Sequence, residues 1–240
     1  MSDPSSTLDP DRIRSAARLL KPLLVYHRYR VKGFEHVPAS GPCLLVCHHT
    51  LATYDGFLFG LRIWEETGRL GRGLGDDRIF QTPRLADFAR DIGLVPASPT
   101  AGAELLAQGE LVGVAPGGMK EALRPRTERY QVRWGDRKGF CRLALRAQAP
   151  MLLAACPRAD ELFEVYPNRL TELLYRHLHL PLPLFRGLGF TALPKPVPLT
   201  HYVAPTIVPP PYDPEREAEQ VDALHREASA VMRGLLRRRD

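Results

Sequence analysis

Short apolar runs alternate with amphipathic stretches along the chain, a pattern that predicts strands separated by helices. Cys43-Leu44-Leu45-Val46-Cys47, Leu94-Val95-Pro96, Leu111-Val112-Gly113-Val114 and Ala149-Pro150-Met151-Leu152-Leu153-Ala154 are too short for helices and apolar on both faces, as buried strands are. Between them, Gly56–Glu66 sets Phe57, Leu58, Leu61 and Trp64 at helical spacing and is expected to begin just after Asp55. Residues 83–91, 100–108 and 137–148 also predict helices, the second of them stopped by Gly109. Residues 31–42 predict a short strand and a turn, 78–82 a strand, and 202–207 the last strand. Gly68–Gly75, with four glycines and two arginines, predicts a loop, and it lacks the Gly-Lys-Ser/Thr ending of a phosphate-binding P-loop. The proline-rich segment 168–199 carries no assignment.

Both ends predict helices. Asp9 is suited to cap the first and Pro10 to open it, and Ile13, Ala16, Ala17, Leu20, Leu23 and Leu24 recur every three or four residues. Arg12, Arg14, Arg18 and Lys21 fill its other faces, and Pro22 is expected to kink or split it. Such a basic amphipathic helix suits either packing on its own domain or lying in a membrane surface. At the far end Asp213 caps, Pro214 starts, and Glu215 and Glu217 complement the positive helix end. Val221, Leu224, Ala228, Val231 and Leu235 make its apolar stripe, with Arg237–Arg239 at the negative end. Strands alternating with helices argue for an α/β fold, and the expected arrangement is a central mixed sheet flanked by helices. The expected organisation is a disordered start and basic helical segment over 1–30, followed by a single domain over 31–240.

Composition narrows the class. With 240 residues, 44% hydrophobic and 25% charged, the chain can build one α/β core. No uninterrupted apolar stretch reaches the roughly 18 residues of a membrane span, and the opening Met1-Ser2-Asp3-Pro4 leads into polar residues rather than a signal peptide. The expected location is therefore cytoplasmic. The four cysteines, Cys43, Cys47, Cys141 and Cys156, include no Cys-x2-Cys pair, so they predict buried reduced thiols and no metal site. A net charge of +6 favours an anionic partner: nucleic acid, acidic lipid headgroups or a phosphorylated cosubstrate. Basic residues interleaved with aromatics, which nucleic-acid binding would want, are missing, so no nucleic acid is expected.

Two segments carry chemistry, each where a strand ends. His48-His49-Thr50-Leu51-Ala52-Thr53-Tyr54-Asp55 follows the strand at Cys43–Cys47, and Ala115-Pro116-Gly117-Gly118-Met119-Lys120-Glu121-Ala122 follows the strand at Leu111–Val114. Ligands of open α/β sheets collect at the carboxyl ends of strands. A histidine titrates near neutrality and can take a proton from an attacking hydroxyl, best when a carboxylate fixes its tautomer. Five residues separate His49 from Asp55, a spacing that one tight turn can close, and the helix start at Asp55 offers backbone amides for a developing oxyanion. Local spacing alone favours a plainer reading, ordinary turn histidines and a helix-capping aspartate. No Gly-x-Ser-x-Gly elbow offers a nucleophile.

The ordered blocks shift that balance. Val31-Lys32-Gly33-Phe34-Glu35-His36-Val37-Pro38, Gly41-Pro42 and the strand into His49 resemble the opening of the glycerolipid acyltransferase superfamily, which includes the lysophosphatidic acid acyltransferases. Its usual first motif is Asn-His-x4-Asp; here His48 replaces the asparagine and the gap is five. Pro116-Gly117-Gly118-Met119-Lys120-Glu121-Ala122 is similar to the Pro-Gly-Gly-x-Arg-Glu-Ala of the diacylglycerol-acyltransferase-like, transmembrane-protein-68-like branch, as are Arg133–Phe140 and Ala149–Leu152. The resemblance covers roughly Val31 to Pro157. It implies the glycerol-3-phosphate acyltransferase-like fold and acyl transfer from a thioester, acyl-CoA or acyl carrier protein, to a lipid hydroxyl. His49 is then the general base and Asp55 its orienting partner, with no covalent intermediate, no metal and no cofactor beyond the acyl donor. Pro116, Gly117, Gly118, Lys120 and Glu121 are implied at the substrate side, with Gly117 and Gly118 allowing close backbone approach, Lys120 at the motif's basic position and Glu121 more suited to orienting the turn. Partners implied are the acyl donor, a lipid acceptor and the inner face of a membrane. The alternative is a catalytically silent lipid-binding module of the same fold.

Overall fold

Apolar on both faces, the central strands must be covered by helices on both sides, and that requirement sets the architecture. The structure is a computed structural model that describes residues 10–166 and 184–239. Among the described residues, seven strands form one sheet: β1 (Arg30–Lys32), β2 (Cys43–Cys47), β3 (Arg72–Gly75), β4 (Leu94–Pro96), β5 (Leu111–Val114), β6 (Met151–Ala155) and β9 (Thr200–Val203). β7 (Glu164–Tyr166) and β8 (Leu184–Arg186) pair separately, antiparallel. The helices are α1 (Pro10–Tyr26), α2 (Tyr54–Thr67), α3 (Pro83–Asp91), α4 (Pro99–Ala107), α5 (Gly118–Ala122), α6 (Gly139–Ala147) and α7 (Glu217–Leu236).

The sheet order is β1-β9-β6-β2-β5-β3-β4. β2 lies at its centre, parallel to both β5 and β6, with Leu44 opposite Val112 and Met151. β9 runs antiparallel to β6, so the start of β9 meets the carboxyl end of β6. The mixed sheet thus gathers the ends of β2, β5 and β6 and the beginning of β9 at one edge. Side chains alternate along β2: Leu44 and Val46 join the cluster with Leu105, Leu145 and Met232, while Cys43 and Leu45 pack with Phe59 and Ile63 of α2 on the other face. Each such side chain removed from water contributes about 1.5–3 kcal/mol, so β2 is anchored on both faces, and His48 and His49 follow its end.

A third cluster joins α1 to the site end. Leu23, Leu24 and Tyr29 pack on Leu58, Cys156, Leu162 and Leu199. His27 reinforces the joint, its ring nitrogens lying 2.9 Å from the Val197 carbonyl and 2.9 Å from the Tyr54 hydroxyl.

Several expectations are corrected. α1 continues through Pro22 as one helix; the proline sits on its exposed side, where its missing N–H is cheapest. The proposed cap, Asp9, lies outside the described residues. The glycine-rich 68–75 stretch holds strand β3, and its glycines permit close packing: a Cβ on Gly73 would collide with Leu94 of β4. Residues 77–81 form a 3-10 turn instead of a strand, opened by Asp76, whose carboxylate accepts the Arg78 amide at 3.0 Å. Asp55 is the second residue of α2 rather than its predecessor. The cysteines are free as expected, although Cys47 is only partly buried.

Candidate active site

The chain leaving β2 carries two adjacent histidines that meet different surroundings. His48 is fully buried. Its Nε2 lies 3.3 Å from Asp160 Oδ1 and its Nδ1 3.6 Å from Glu121 Oε1. Burial pulls its pKa down, but the two carboxylates outweigh burial and the neighbouring Arg124, leaving it above the ordinary 6.5. Asp160, although buried, is held down at about 2 by His48, Arg124 and the Tyr130 amide. Glu121 is likewise held below its usual value by His48, Arg124 and the Arg133 amide, against the pull of burial.

This buried group grips the backbone of His49. Glu121 Oε2 accepts the His49 amide at 3.1 Å, and Arg124 Nη2 donates to the His49 carbonyl at 2.7 Å. Arg124 Nη1 donates to Asp160 Oδ1 at 2.6 Å and also abuts His48 Nε2. Glu121 Oε1 takes the Arg133 amide at 3.0 Å. Glu121, implied at the substrate side by the resemblance, is wholly enclosed, with one oxygen on the His49 amide and the other on the Arg133 amide. His48 belongs to this scaffold.

His49 is half-buried, and burial lowers its pKa below 6.5, so the ring is neutral at physiological pH. Its Nδ1 lies 2.9 Å from the Thr50 carbonyl. A carbonyl accepts only, so Nδ1 carries the proton and Nε2 holds the free lone pair. No hydrogen bond or ion pair joins His49 to Asp55 among the described residues, in contrast to the direct pairing expected. The chain turns through a 3-10 segment at Leu51–Thr53, with the Thr53 amide on the Thr50 carbonyl at 3.0 Å. That turn puts Thr50 between them: its carbonyl faces His49 and its hydroxyl donates to Asp55 Oδ1. Asp55 is buried, and loss of hydration raises its pKa to about 6 despite the Thr50 bond and the nearby His48. Its other oxygen lies 3.4 Å from His201 Nε2.

The Gly-Gly turn follows β5 and closes the site from the other side. A Cβ on Gly117 would collide with the Glu121 side chain, and Gly118 has φ +52°, so both positions favour glycine. Arg137 Nη1 donates to the Pro116 carbonyl at 3.1 Å and to the Gly117 carbonyl, pinning the turn. Lys120 is exposed on α5.

Thr50, Arg124, Arg137, Asp160 and His201 are thus site residues that the sequence motifs did not single out. Asp55, Cys156 and His201 place one potential ligand atom each within 4.8 Å of one another. Burial holds the Cys156 thiol well above its ordinary pKa.

Among known proteins, the acyltransferase family profile matches residues 28–156. A human protein named "DGAT1/2-independent enzyme synthesizing storage lipids" is 31% identical over 198 residues, 82% of this chain and 58% of its own length. The bovine protein of the same name is 31% identical over 82% of this chain and 56% of its length. The chain therefore spans a little over half the length of these relatives. The crystal structure of the 1-acyl-sn-glycerophosphate acyltransferase PlsC from Thermotoga maritima superposes with a TM-score of 0.59 at 15% identity, covering 99% of this chain and 87% of that one. That likeness establishes the shared fold.

Proposed function

The chain belongs to the acyltransferase family, and on that footing we propose that it moves a fatty acyl group from a thioester, acyl-CoA or acyl carrier protein, to the hydroxyl of a glycerolipid or related lipid, with His49 as general base. One observation carries the reading: a neutral imidazole at the end of the central strand, its tautomer fixed by the Thr50 carbonyl and its peptide held by Glu121 and Arg124 beside the Gly-Gly turn. His49 Nε2 takes the acceptor's proton as its oxygen bonds to the thioester carbon. The tetrahedral intermediate collapses with cleavage of the C–S bond, and the imidazolium returns the proton to the departing thiolate. The acyl group passes directly, and the histidine ends as it began. Asp55 acts through Thr50, its charge favouring the imidazolium. Lys120 offers a point charge to an acceptor phosphate, without the two-pronged grip of an arginine.

The test is to incubate the purified protein with radiolabelled palmitoyl-CoA, or the matching acyl carrier protein, and a panel of lipid hydroxyls in mixed micelles. Acyl transfer to at least one acceptor is expected. Absence of transfer to diacylglycerol, lysophosphatidate and simple alcohols would overturn the reading.

Such an acceptor stays in a bilayer, so the protein must come to the cytoplasmic membrane face. Among the described residues, no helix is long and apolar enough to cross a membrane. α1 supplies an alternative: its inner face packs on the third cluster, while Leu19 and Val25 are each 79% exposed next to the exposed Arg14, Arg18 and Lys21. Anionic lipid adds about 1 kcal/mol per well-placed basic residue. Leu19→Asn combined with Val25→Asn is expected to weaken co-sedimentation with phosphatidylglycerol vesicles by roughly a hundredfold or more, since two side chains entering the membrane contribute about 3 kcal/mol or more together; unchanged binding would reject this docking face.

A further inference from the structure

We propose that His201 and Tyr29 are positioning residues for Asp55, His201 supplying the second hydrogen-bond donor that keeps this carboxylate ionised in a dry site, and Tyr29 fixing which nitrogen of His201 carries the proton. The inference rests on the acyl-transfer reading for its catalytic meaning, and on geometry for its existence.

β9 runs against β6, and that reversal carries residue 201 to the catalytic edge. There the His201 ring is fully buried and stacks face to face on Phe59, with centroids 4.6 Å apart and planes at 10°. One nitrogen, Nδ1, lies 2.7 Å from the Tyr29 hydroxyl; the other, Nε2, lies 3.4 Å from Asp55 Oδ2. Burial pushes the imidazole down to about 3, so the ring is neutral and carries a single proton. Two tautomers are then possible. When the Tyr29 hydroxyl donates to Nδ1, the proton sits on Nε2 and faces the carboxylate. The other tautomer turns a lone pair on Nε2 toward an ionised carboxylate, which is repulsive. With the Tyr29 hydroxyl donating to Nδ1, Asp55 faces a donor at each oxygen, Thr50 at Oδ1 and His201 at Oδ2.

Asp55 needs that help. Its remaining titratable neighbours are Cys47 at the end of β2 and His48 just after it, Cys156 and Asp160 beyond β6, and Tyr29, with Arg62 of α2 acting on Tyr29. Of these only His48 lowers its pKa, while Asp160 and burial raise it. Without the Nε2 proton, the balance tips toward the neutral acid.

The test compares wild type, His201→Phe, His201→Gln and Tyr29→Phe. Phenylalanine keeps the stack on Phe59 and removes the donor; glutamine offers an N–H in its place. Two readouts are used: the pH dependence of kcat and KM with palmitoyl-CoA and whichever lipid hydroxyl is accepted, and difference infrared titration of the buried carboxyl. A donor to an ionised group is worth a tenfold change or more. His201→Phe is thus expected to move the acid limb of kcat and the carboxyl titration up by about one pH unit, with kcat near neutrality down about tenfold and KM little changed. Tyr29→Phe shifts both in the same direction by less, and His201→Gln recovers most of the wild-type profile. An infrared titration of the carboxyl that coincides in wild type, His201→Phe and Tyr29→Phe would overturn the inference, even if activity fell. If His201→Phe does not fold, Tyr29→Phe, which lacks only one oxygen, decides by the same readouts. Wild-type protein inactive toward every acceptor would strike the acyl-transfer reading, while the infrared titration would still judge the Asp55–His201–Tyr29 coupling.

Discussion

Replacing His49 with alanine is expected to lower kcat by about 10²–10⁴-fold while leaving KM for the acyl donor and the melting temperature close to wild type. The size follows from what the ring contributes. A lipid alcohol is a weak nucleophile until its proton leaves, and Nε2 of His49 has no protein partner among the described residues, leaving it for the acceptor. Burial keeps the ring in its base form at neutral pH. The small effect on stability follows from how His49 is held. Glu121 and Arg124 bind its amide and carbonyl, not its side chain, so alanine inherits the same backbone clamp. His48→Ala should show the opposite balance, with a lower melting temperature from the two carboxylates left facing each other. Near-normal turnover by His49→Ala, measured with radiolabelled palmitoyl-CoA and the accepted hydroxyl, would end the general-base account.

What the chain discloses by reading alone divides along a physical line. β2 at Cys43–Cys47, α3 at Pro83–Asp91, β4 at Leu94–Pro96 and β5 at Leu111–Val114 have the predicted bounds, because local burial patterns and turn residues specify them. The glycine-rich β3 was opaque: its strand depends on Gly73 lying against Leu94, a fact about a neighbouring strand and not about the segment itself. The site divides the same way. His49 and Gly117 stand out because each lies within three residues of a strand's carboxyl end. Asp160 reaches His48 across a separation of 112 residues, and Tyr29 reaches His201 across 172. No local pattern distinguishes those residues from surface charges or core aromatics. They become visible only once the antiparallel β9 and the loop after β6 fold onto the ends of β2 and β5. The bridging Thr50 was in plain sight, yet its role depends on a turn whose carbonyl, and not the distant carboxylate, faces the ring.

Arg124→Ala is expected to cost about 3–5 kcal/mol of stability, the usual range when one partner is removed from a buried ionic group. At about 2–4 °C per kcal/mol for a chain of this size, the melting temperature should fall by roughly 10 °C. The guanidinium is almost wholly enclosed and serves three groups at once: Asp160 Oδ1 at 2.6 Å, the His49 carbonyl at 2.7 Å and Glu121 Oε1 at 3.7 Å. Without it, two buried carboxylates share one imidazole ring. The pH dependence tests the same point. Asp160 titrates at about 2 in the fold against an ordinary 3.8, so its contribution is complete above 3.8 and is lost as pH falls toward 2. His48 has the opposite sign: raised above 6.5, it contributes fully below that value and fades as pH rises through its folded pKa. Removing Arg124 releases Asp160 upward, so acid unfolding should begin at higher pH in the variant. Arg124→Lys should recover only part of the loss, because one ammonium cannot fork between Asp160 and the His49 carbonyl. Thermal melts of the three proteins across the acidic range decide it, and superimposable curves would mean that the peptide of His49 is held by something other than this cluster.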